Sequence, residues 1–217
     1  MQALTWNLYH GRARPAAGRP LLREFAAALA GWEWDVALLQ EVPPWWPPAL
    51  AAAAGAAQRT RLTSRNWLLG ARRAIAARAP DLLKANGGGA NAILVRGEIR
   101  EHRAARLTWW PERRWAHGVL LADGSWAVNV HATAHFGPRA RRDCERAVRA
   151  ARAWAAGAPL VLGGDLNLRD PRLAGLRHVA GNHVDHLFTD RPGAATRAEV
   201  LDRGALSDHP PVAVTLA

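Results

Sequence analysis

Cysteine is nearly absent. Cys144 is the only one in 217 residues, which excludes an internal disulfide. It falls in an expected helix, where a packing role outweighs a nucleophilic one. Lysine is as scarce: Lys84 stands alone although lysine and arginine together number 29. No apolar run approaches the roughly 20 residues that a helix needs to cross a bilayer. The N-terminus has no basic-then-apolar signal pattern, because Gln2-Ala3-Leu4-Thr5-Trp6 already reads as a strand. The expected location is therefore cytoplasmic, or outside the cell if an upstream signal peptide has been removed. Internal repeats, low-complexity linkers and composition breaks are also lacking. This argues for one domain over residues 1–217, long enough to bury a substantial core.

What is present is ordinary in bulk and unusual in detail. A hydrophobic fraction of 49% with 22% charged residues suits a globular protein. The net charge of +11 favours a polyanionic substrate over a neutral one. The arginine-for-lysine and alanine bias fits a GC-rich genome and weakens that charge as a sign of nucleic-acid binding. The tryptophans number 11. Trp45-Trp46 and Trp109-Trp110 sit beside prolines in expected loops. Core or rim packing is their expected role, with a stacking surface for bases as the alternative. The basic helix bearing Arg139, Arg141, Arg142, Arg146 and Arg149 is expected to present a solvated face.

Strand patterns cover Leu4–Tyr9, Val36–Gln40, Ala92–Val95, Ile99–Leu107, Gly118–Leu121, Trp126–His131, Leu160–Leu162, Val184–Phe188, Arg197–Leu201 and Val212–Leu216. Helical spacing covers Leu21–Ala30, Ala49–Ala57 and Arg139–Ala156. Ala122-Asp123-Gly124-Ser125 is a hairpin turn signal. Residues 58–90 carry no clear pattern and close in the glycine run 86–89. Strands alternating with helices predict an α/β protein with mixed sheets.

The most informative stretch is Leu160-Val161-Leu162-Gly163-Gly164-Asp165-Leu166-Asn167-Leu168. An apolar run reads as a buried strand that breaks at the two glycines. Asp165 and Asn167 follow two positions apart, so where the chain stays extended their side chains point the same way. An acid and an amide at a strand end can hold a metal, a water and a phosphate oxygen. Matching pieces lie in order along the chain. They are Thr5-Trp6-Asn7, Leu38-Leu39-Gln40-Glu41-Val42, Asn91-Ala92-Ile93-Leu94-Val95, Asn129-Val130-His131, Val184-Asp185-His186, and Leu206-Ser207-Asp208-His209-Pro210. This ordered set, from about Thr5 to the C-terminus, resembles the endonuclease/exonuclease/phosphatase superfamily. The resemblance implies a four-layer α/β/β/α sandwich of two packed mixed sheets flanked by helices, with the site at one end.

Phosphoester hydrolysis needs an activated water, stabilised phosphoryl charge and a managed leaving oxygen. A hard divalent cation, Mg²⁺ or Mn²⁺, with oxygen ligands meets much of that need. The expected metal residues are Glu41, Asp208 and Asn7, the last orienting the metal's water shell. Asp165 is the expected water-activating or second-metal carboxylate, and Asn167 the amide donor to a phosphate oxygen or nucleophile. Asp185 and His209 form a pair in which the carboxylate orients the imidazole and keeps it charged. The resemblance implies His131 as a phosphate ligand or general acid, without a recognisable glutamate partner. A helical zinc pair of His131 with His135 is disfavoured, since a strand precedes it and no cysteine ligand is near. The resemblance also implies an arginine near the phosphate, Arg114 with Arg113 competing for the role, and Asn91 lining the site. The reading is a metal-dependent phosphoester hydrolase, with nucleic acid, DNA over RNA, as substrate. The alternatives are a phosphatase or phosphodiesterase on a small phosphorylated metabolite or lipid headgroup, and a non-catalytic binding module.

Overall fold

The computed structural model describes residues 1–64, 66–82, 89–110, 112–135, 137–191, 193 and 195–217. Most of the glycine run (86–88) lies outside the described residues. The strands form two six-stranded sheets. The first contains β1 (Gln2–Asn7), β2 (Val36–Val42), β3 (Ala57–Thr63), β4 (Gly89–Val95), β11 (Ala195–Val200) and β12 (Val212–Leu216), in the order β11-β12-β1-β2-β4-β3. The second contains β5 (Ile99–Thr108), β6 (Arg114–Leu121), β7 (Trp126–His131), β8 (Leu160–Asp165), β9 (Arg177–Asn182) and β10 (Asp185–Thr189), in the order β5-β6-β7-β8-β10-β9. Within each sheet one pair is parallel, β1 with β2 and β7 with β8, and the other pairs are antiparallel.

Strand alternation divides the apolar residues among three cores. Leu4, Trp6, Leu39 and Leu94 face α1 (Leu22–Gly31) and α2 (Pro47–Ala53), which supply Phe25, Leu29 and Leu50. Ala3, Leu38 and Ile93, on the opposite faces, meet Ala127, Val161 and Leu187 of the second sheet. Val128, Val130, Leu160 and Leu162 turn outward onto α4 (Gly137–Ala155), against Cys144, Ala147 and Ala151. The layers are therefore helix, sheet, sheet, helix, as the resemblance implied. Central strands covered on both faces read as continuous apolar runs, and for that reason they were legible. A short α3 (Leu69–Ala76) follows β3.

Several expectations need correcting. The helix expected over Ala49–Ala57 spans Pro47–Ala53, and Ala57 begins β3. The strand at residue 160 does not break at its glycines: β8 runs through Gly163 and Gly164 to Asp165. A Cβ on Gly164 would lie 1.8 Å from the Val130 carbonyl oxygen, so the glycine is what lets β8 approach β7. Nor does the chain stay extended past Asp165, since Asn167 adopts φ +50°. The hairpin turn does form, with the Ser125 backbone N–H and hydroxyl both donating to Asp123 Oδ1 at 2.9 and 2.6 Å.

A polar clasp joins the sheets. Gln40 Nε2 donates to Asn129 Oδ1 across the interface (2.8 Å), and Asn129 Nδ2 donates to the Leu39 and Ala92 carbonyls (2.8 and 3.0 Å). Satisfied buried amides of this kind fix the alignment of two otherwise slippery apolar faces. They sit one residue from Glu41 and two from His131.

Candidate active site

The topology gathers the polar strand ends at one edge of the sandwich. Asn7 pairs with Gln40 in the parallel β1–β2 ladder, so Asn7 and Glu41 emerge side by side. His131 is the register partner of Asp165 in the parallel β7–β8 ladder, and Asp185 is its partner across the antiparallel β8–β10 ladder. β12 runs antiparallel to β1, which brings the preceding Asp208 and His209 to the same end. Asn91 enters from the start of β4, and Arg114 from the start of β6.

Asp165 is the hub. Its Oδ2 accepts from Asn7 Nδ2 (2.9 Å) and lies 3.5 Å from His131 Nε2, and its Oδ1 accepts from the Asn167 N–H (3.0 Å). Burial and the neighbouring Asp185 push its pKa up to about 7, against the pull of His209, Asn7 and the Asn167 amide. A carboxyl poised there can exchange a proton near neutrality. The Asn167 side chain donates to the Ala132 carbonyl (3.0 Å), which pins the turn and leaves its second N–H to point elsewhere. Asp185 Oδ2 lies 2.6 Å from His209 Nδ1. Burial alone would lower His209, but the bond to Asp185 and the charges of Asp185, Asp165 and Asp208 raise it to about 9. Burial pushes Asp185 itself up, opposed by His209.

His10 belongs to this site and has no place in the sequence reading, which extended the first strand to Tyr9. The strand ends at Asn7, and Tyr9 and His10 take left-handed conformations (φ 47° and 53°). That turn swings His10 Nε2 to 3.0 Å from Glu41 Oε2. Glu41, also left-handed at φ 49°, is only partly covered. Burial works to raise its pKa, but His10, His131 and Arg114 outweigh that and hold it well below the usual carboxylate range. His131 is held well below its ordinary range by burial and then by Arg114, with Glu41 opposing. Its Nε2 lies 3.5 Å from Asp165 Oδ2 and 3.8 Å from Glu41 Oε1, longer than an ordinary charge-assisted hydrogen bond in both cases. A neutral imidazole of this kind suits contact with a phosphate oxygen better than proton donation to a leaving group. The segment after His131 is not helical and His135 is exposed at φ 59°, so no helical histidine pair forms.

Arg114, rather than Arg113, is felt at the site, its charge acting on both Glu41 and His131. It is 5% exposed and pairs with Glu112, whereas Arg113 stacks on Trp109 at 4.4 Å. The Trp46 ring is buried against Phe25, as expected for packing. Trp109 and Trp110 stay exposed, at 53% and 63%, with Arg106 and Arg113 stacked on the Trp109 ring. The face of α4 bearing Arg139, Arg141, Arg142, Arg146 and Arg149 is solvent-exposed as expected.

Two supporting contacts were also invisible in the sequence. The Trp6 indole N–H donates to the His209 carbonyl (2.8 Å), and Ser207 Oγ donates to the Asn7 carbonyl (2.7 Å) while accepting from the His209 N–H (3.0 Å). Together they tie the His209 loop to β1. Buried Asp143 accepts from the Thr133 N–H (2.9 Å), the Thr133 hydroxyl (2.6 Å) and the Thr108 hydroxyl (2.5 Å), which fixes the chain just beyond His131. The adjacent Cys144 thiol is pushed up to about 12, chiefly by burial, and is inert.

The residues present fit a hard divalent cation. Asp208 Oδ1, Asp185 Oδ1 and both polar atoms of Asn91 are buried without a hydrogen-bond partner among the described residues. Buried orphan oxygens call for a ligand. Ligand atoms of Asp165, Asp185 and His209 also lie within 4.8 Å of one another, but the Asp185–His209 bond commits that cluster to holding a protonated imidazole. Oxygen donors predominate, and Mg²⁺ or Mn²⁺ prefers them. Asn7 Oδ1, the atom through which that residue would act, accepts from the Tyr9 N–H (3.0 Å) and keeps a second lone pair.

Among the described residues no helix is long and apolar enough to cross a membrane. No curated protein matches the sequence. Solved structures do resemble the fold. An endonuclease/exonuclease/phosphatase from Beutenbergia cavernae DSM 12333 is 20% identical, with TM-score 0.74 over 99% of this chain and 70% of that one. A mannosyl-6-phosphatase from Bacteroides thetaiotaomicron VPI-5482 is 15% identical, with TM-score 0.74 over 100% of this chain and 99% of that one. TDP2 from Caenorhabditis elegans is 17% identical, with TM-score 0.67 over 99% and 73%. Residues 4–209 match the model of the endonuclease/exonuclease/phosphatase family, so the chain belongs to that family of metal-dependent phosphoester hydrolases.

Proposed function

We propose that this protein is a divalent-metal-dependent phosphodiesterase that cleaves nucleic acid, DNA in preference to RNA, by in-line attack of water. The observation that supports this most is the convergence on Asp165 of Asn7, His131, Asn167 and the Asp185–His209 pair beside Glu41. Asp165, lifted to about 7, takes the proton of the attacking water while Asn7 and Asn167 hold its orientation. His209, kept charged by Asp185, donates to a phosphoryl oxygen as negative charge grows there. Neutral His131, the free N–H of Asn167 and Arg114 contact the remaining oxygens, and Asn91 lines the same space. Glu41 and Asp208 would hold Mg²⁺ or Mn²⁺, with Asn7 orienting its waters; a bound cation supplies charge neutralisation at the phosphate.

Nucleic acid is favoured by the charge of +11 and by the aromatic rim at this end. Trp67, Trp109 and Trp110 are exposed, and the Ser64 N–H to Arg113 carbonyl bond (3.0 Å) joins the two loops that carry them. Such rings suit stacked bases. A second reading, a phosphatase or phosphodiesterase on a small phosphorylated metabolite or lipid headgroup, is favoured by the end-to-end match with the mannosyl-6-phosphatase. The test is hydrolysis of supercoiled plasmid, single-stranded DNA, RNA and bis-p-nitrophenyl phosphate in Mg²⁺, Mn²⁺ or EDTA, with Glu41→Ala as control. Metal-dependent nicking lost in the variant is the expected result. Turnover of the small diester alone would move the substrate to the second reading. No turnover of any substrate would leave the non-catalytic binding module.

A further inference from the structure

The pair Trp45-Trp46 is not used by the chemistry above, yet it borders a cavity of about 290 Å³ next to it. His10 belongs to both places: its Nε2 meets Glu41 at 3.0 Å, and the residue forms part of the cavity wall. One side is made by Pro43, Pro44 and the two tryptophans, and the other by Leu69 and the arginines Arg72 and Arg73 of α3. The first side is rigid. The Trp46 ring packs on Phe25 with centroids 5.5 Å apart, and a Cβ on Gly11 (φ +74°) would lie 2.3 Å from it. Only glycine lets the turn carrying His10 rest on that ring.

The polar side chains of the wall are mostly committed. Asn66 Nδ2 donates to the Thr63 and Gly89 carbonyls (2.8 and 3.1 Å), and its Oδ1 accepts from the Gly89 N–H (2.9 Å). Both of its amide N–H groups are therefore spent on the backbone and do not read the edge of a ligand. What remains are pyrrolidine and indole rings, a few aliphatic side chains and two guanidiniums; such rings and guanidiniums stack on planar groups, and the guanidiniums attract anions. The volume is near the lower end of ligand pockets, roughly 300–1,000 Å³, and admits one ring system rather than a peptide or a helix.

We propose that this cavity is a substrate subsite for a planar aromatic substituent of the phosphoester, bound by stacking without edge recognition while the phosphate lies at Glu41 and Asp165. The proposal rests on the phosphoester reading of the adjoining site. It predicts a preference for ring-bearing over alkyl phosphoesters that is indifferent to the identity of the ring.

The test is calorimetric titration of the Mg²⁺-loaded protein with 1-naphthylphosphonate, octylphosphonate and methylphosphonate. Burial of the ring should make the naphthyl compound bind at least ~10-fold more tightly than the methyl one. Leu69→Trp and Ala76→Trp, each of a partly exposed residue lining the cavity, should fill it. Both should reduce that ratio to within about twofold and leave methylphosphonate affinity unchanged. A wild-type ratio near one, a ratio that survives both filling variants, or octyl binding equal to naphthyl binding would overturn the proposal. Glu41→Ala separates the two claims. Weakening of every phosphonate with the ratio preserved supports both the site and the subsite. A preserved ratio with no weakening refutes the phosphate position and leaves the ring preference standing. A ratio near one with weakening refutes the subsite alone.

Discussion

Replacing Asp185 by asparagine should strip His209 of its charge near neutrality while keeping the shape of the site. In the intact protein Asp185 Oδ2 lies 2.6 Å from Nδ1 and is the leading reason the imidazole rises from 6.5 to about 9 against its own burial. That rise is worth about 3 kcal/mol of preference for the imidazolium. Asparagine can still accept a hydrogen bond but brings no charge. Burial is then opposed only by Asp165 and Asp208, and the midpoint should fall by about 2 pH units. The assay is a proton NMR titration of the His209 Cε1–H in EDTA, assigned by its loss in His209→Gln. The linkage has a definite sign: a raised histidine stabilises the fold fully below pH 6.5, and that gain disappears as pH rises through about 9. Turnover should follow the same group, declining above pH 9 in the intact enzyme and at about pH 7 in the variant. A wild-type midpoint near 6.5, or a variant midpoint within about 0.5 unit of wild type, would refute the pairing argument.

Three further outcomes follow from the fold. Gly164→Ala drives a Cβ into the Val130 carbonyl at 1.8 Å and should cost about 3 kcal/mol or more, seen as a large fall in thermal midpoint. Asp143→Ala strands two buried donors of Thr133 and the half-buried Thr108 hydroxyl and should cost about 3–5 kcal/mol in urea unfolding, with Asp143→Asn intermediate. Buried His117 contacts His102 at 3.2 Å and is lowered to about 3, first by burial and then by His102 and Arg61. Its neutral form is therefore native, and stability should decline as pH falls from 6.5 toward 3, by up to roughly 5 kcal/mol. His117→Gln should flatten that acid limb of a denaturation-versus-pH curve, and an unchanged limb would contradict the assignment.

Legibility in the sequence followed burial. β1, β2, β4, β7 and β8 lie inside their sheets with both faces covered, so their apolar runs announced them. β3 and β9 are edge strands with polar, partly exposed sequences (AQRTRLT and RHVAGN), and neither showed a pattern. The strand-end acids and amides were readable because regular strands deliver them in order. His10 was not, since its position depends on two consecutive left-handed residues that no local periodicity signals. The glycines at 163 and 164 looked like a turn because the carbonyl they accommodate belongs to another strand. Asp143, on α4, looked like any polar helix residue, and only tertiary contact with Thr108 and Thr133 reveals its role.

The central claim, a metal-dependent phosphodiester cleavage centred on Asp165, is tested most directly by plasmid nicking with Mg²⁺ by the wild type and by Asp165→Asn. The substitution keeps the volume and removes the proton acceptor. The account predicts a rate loss of about 10²-fold or more in the variant, no activity in EDTA for either protein, and an unchanged or raised thermal midpoint. Near-wild-type nicking by Asp165→Asn, or wild-type nicking that survives EDTA, would contradict it.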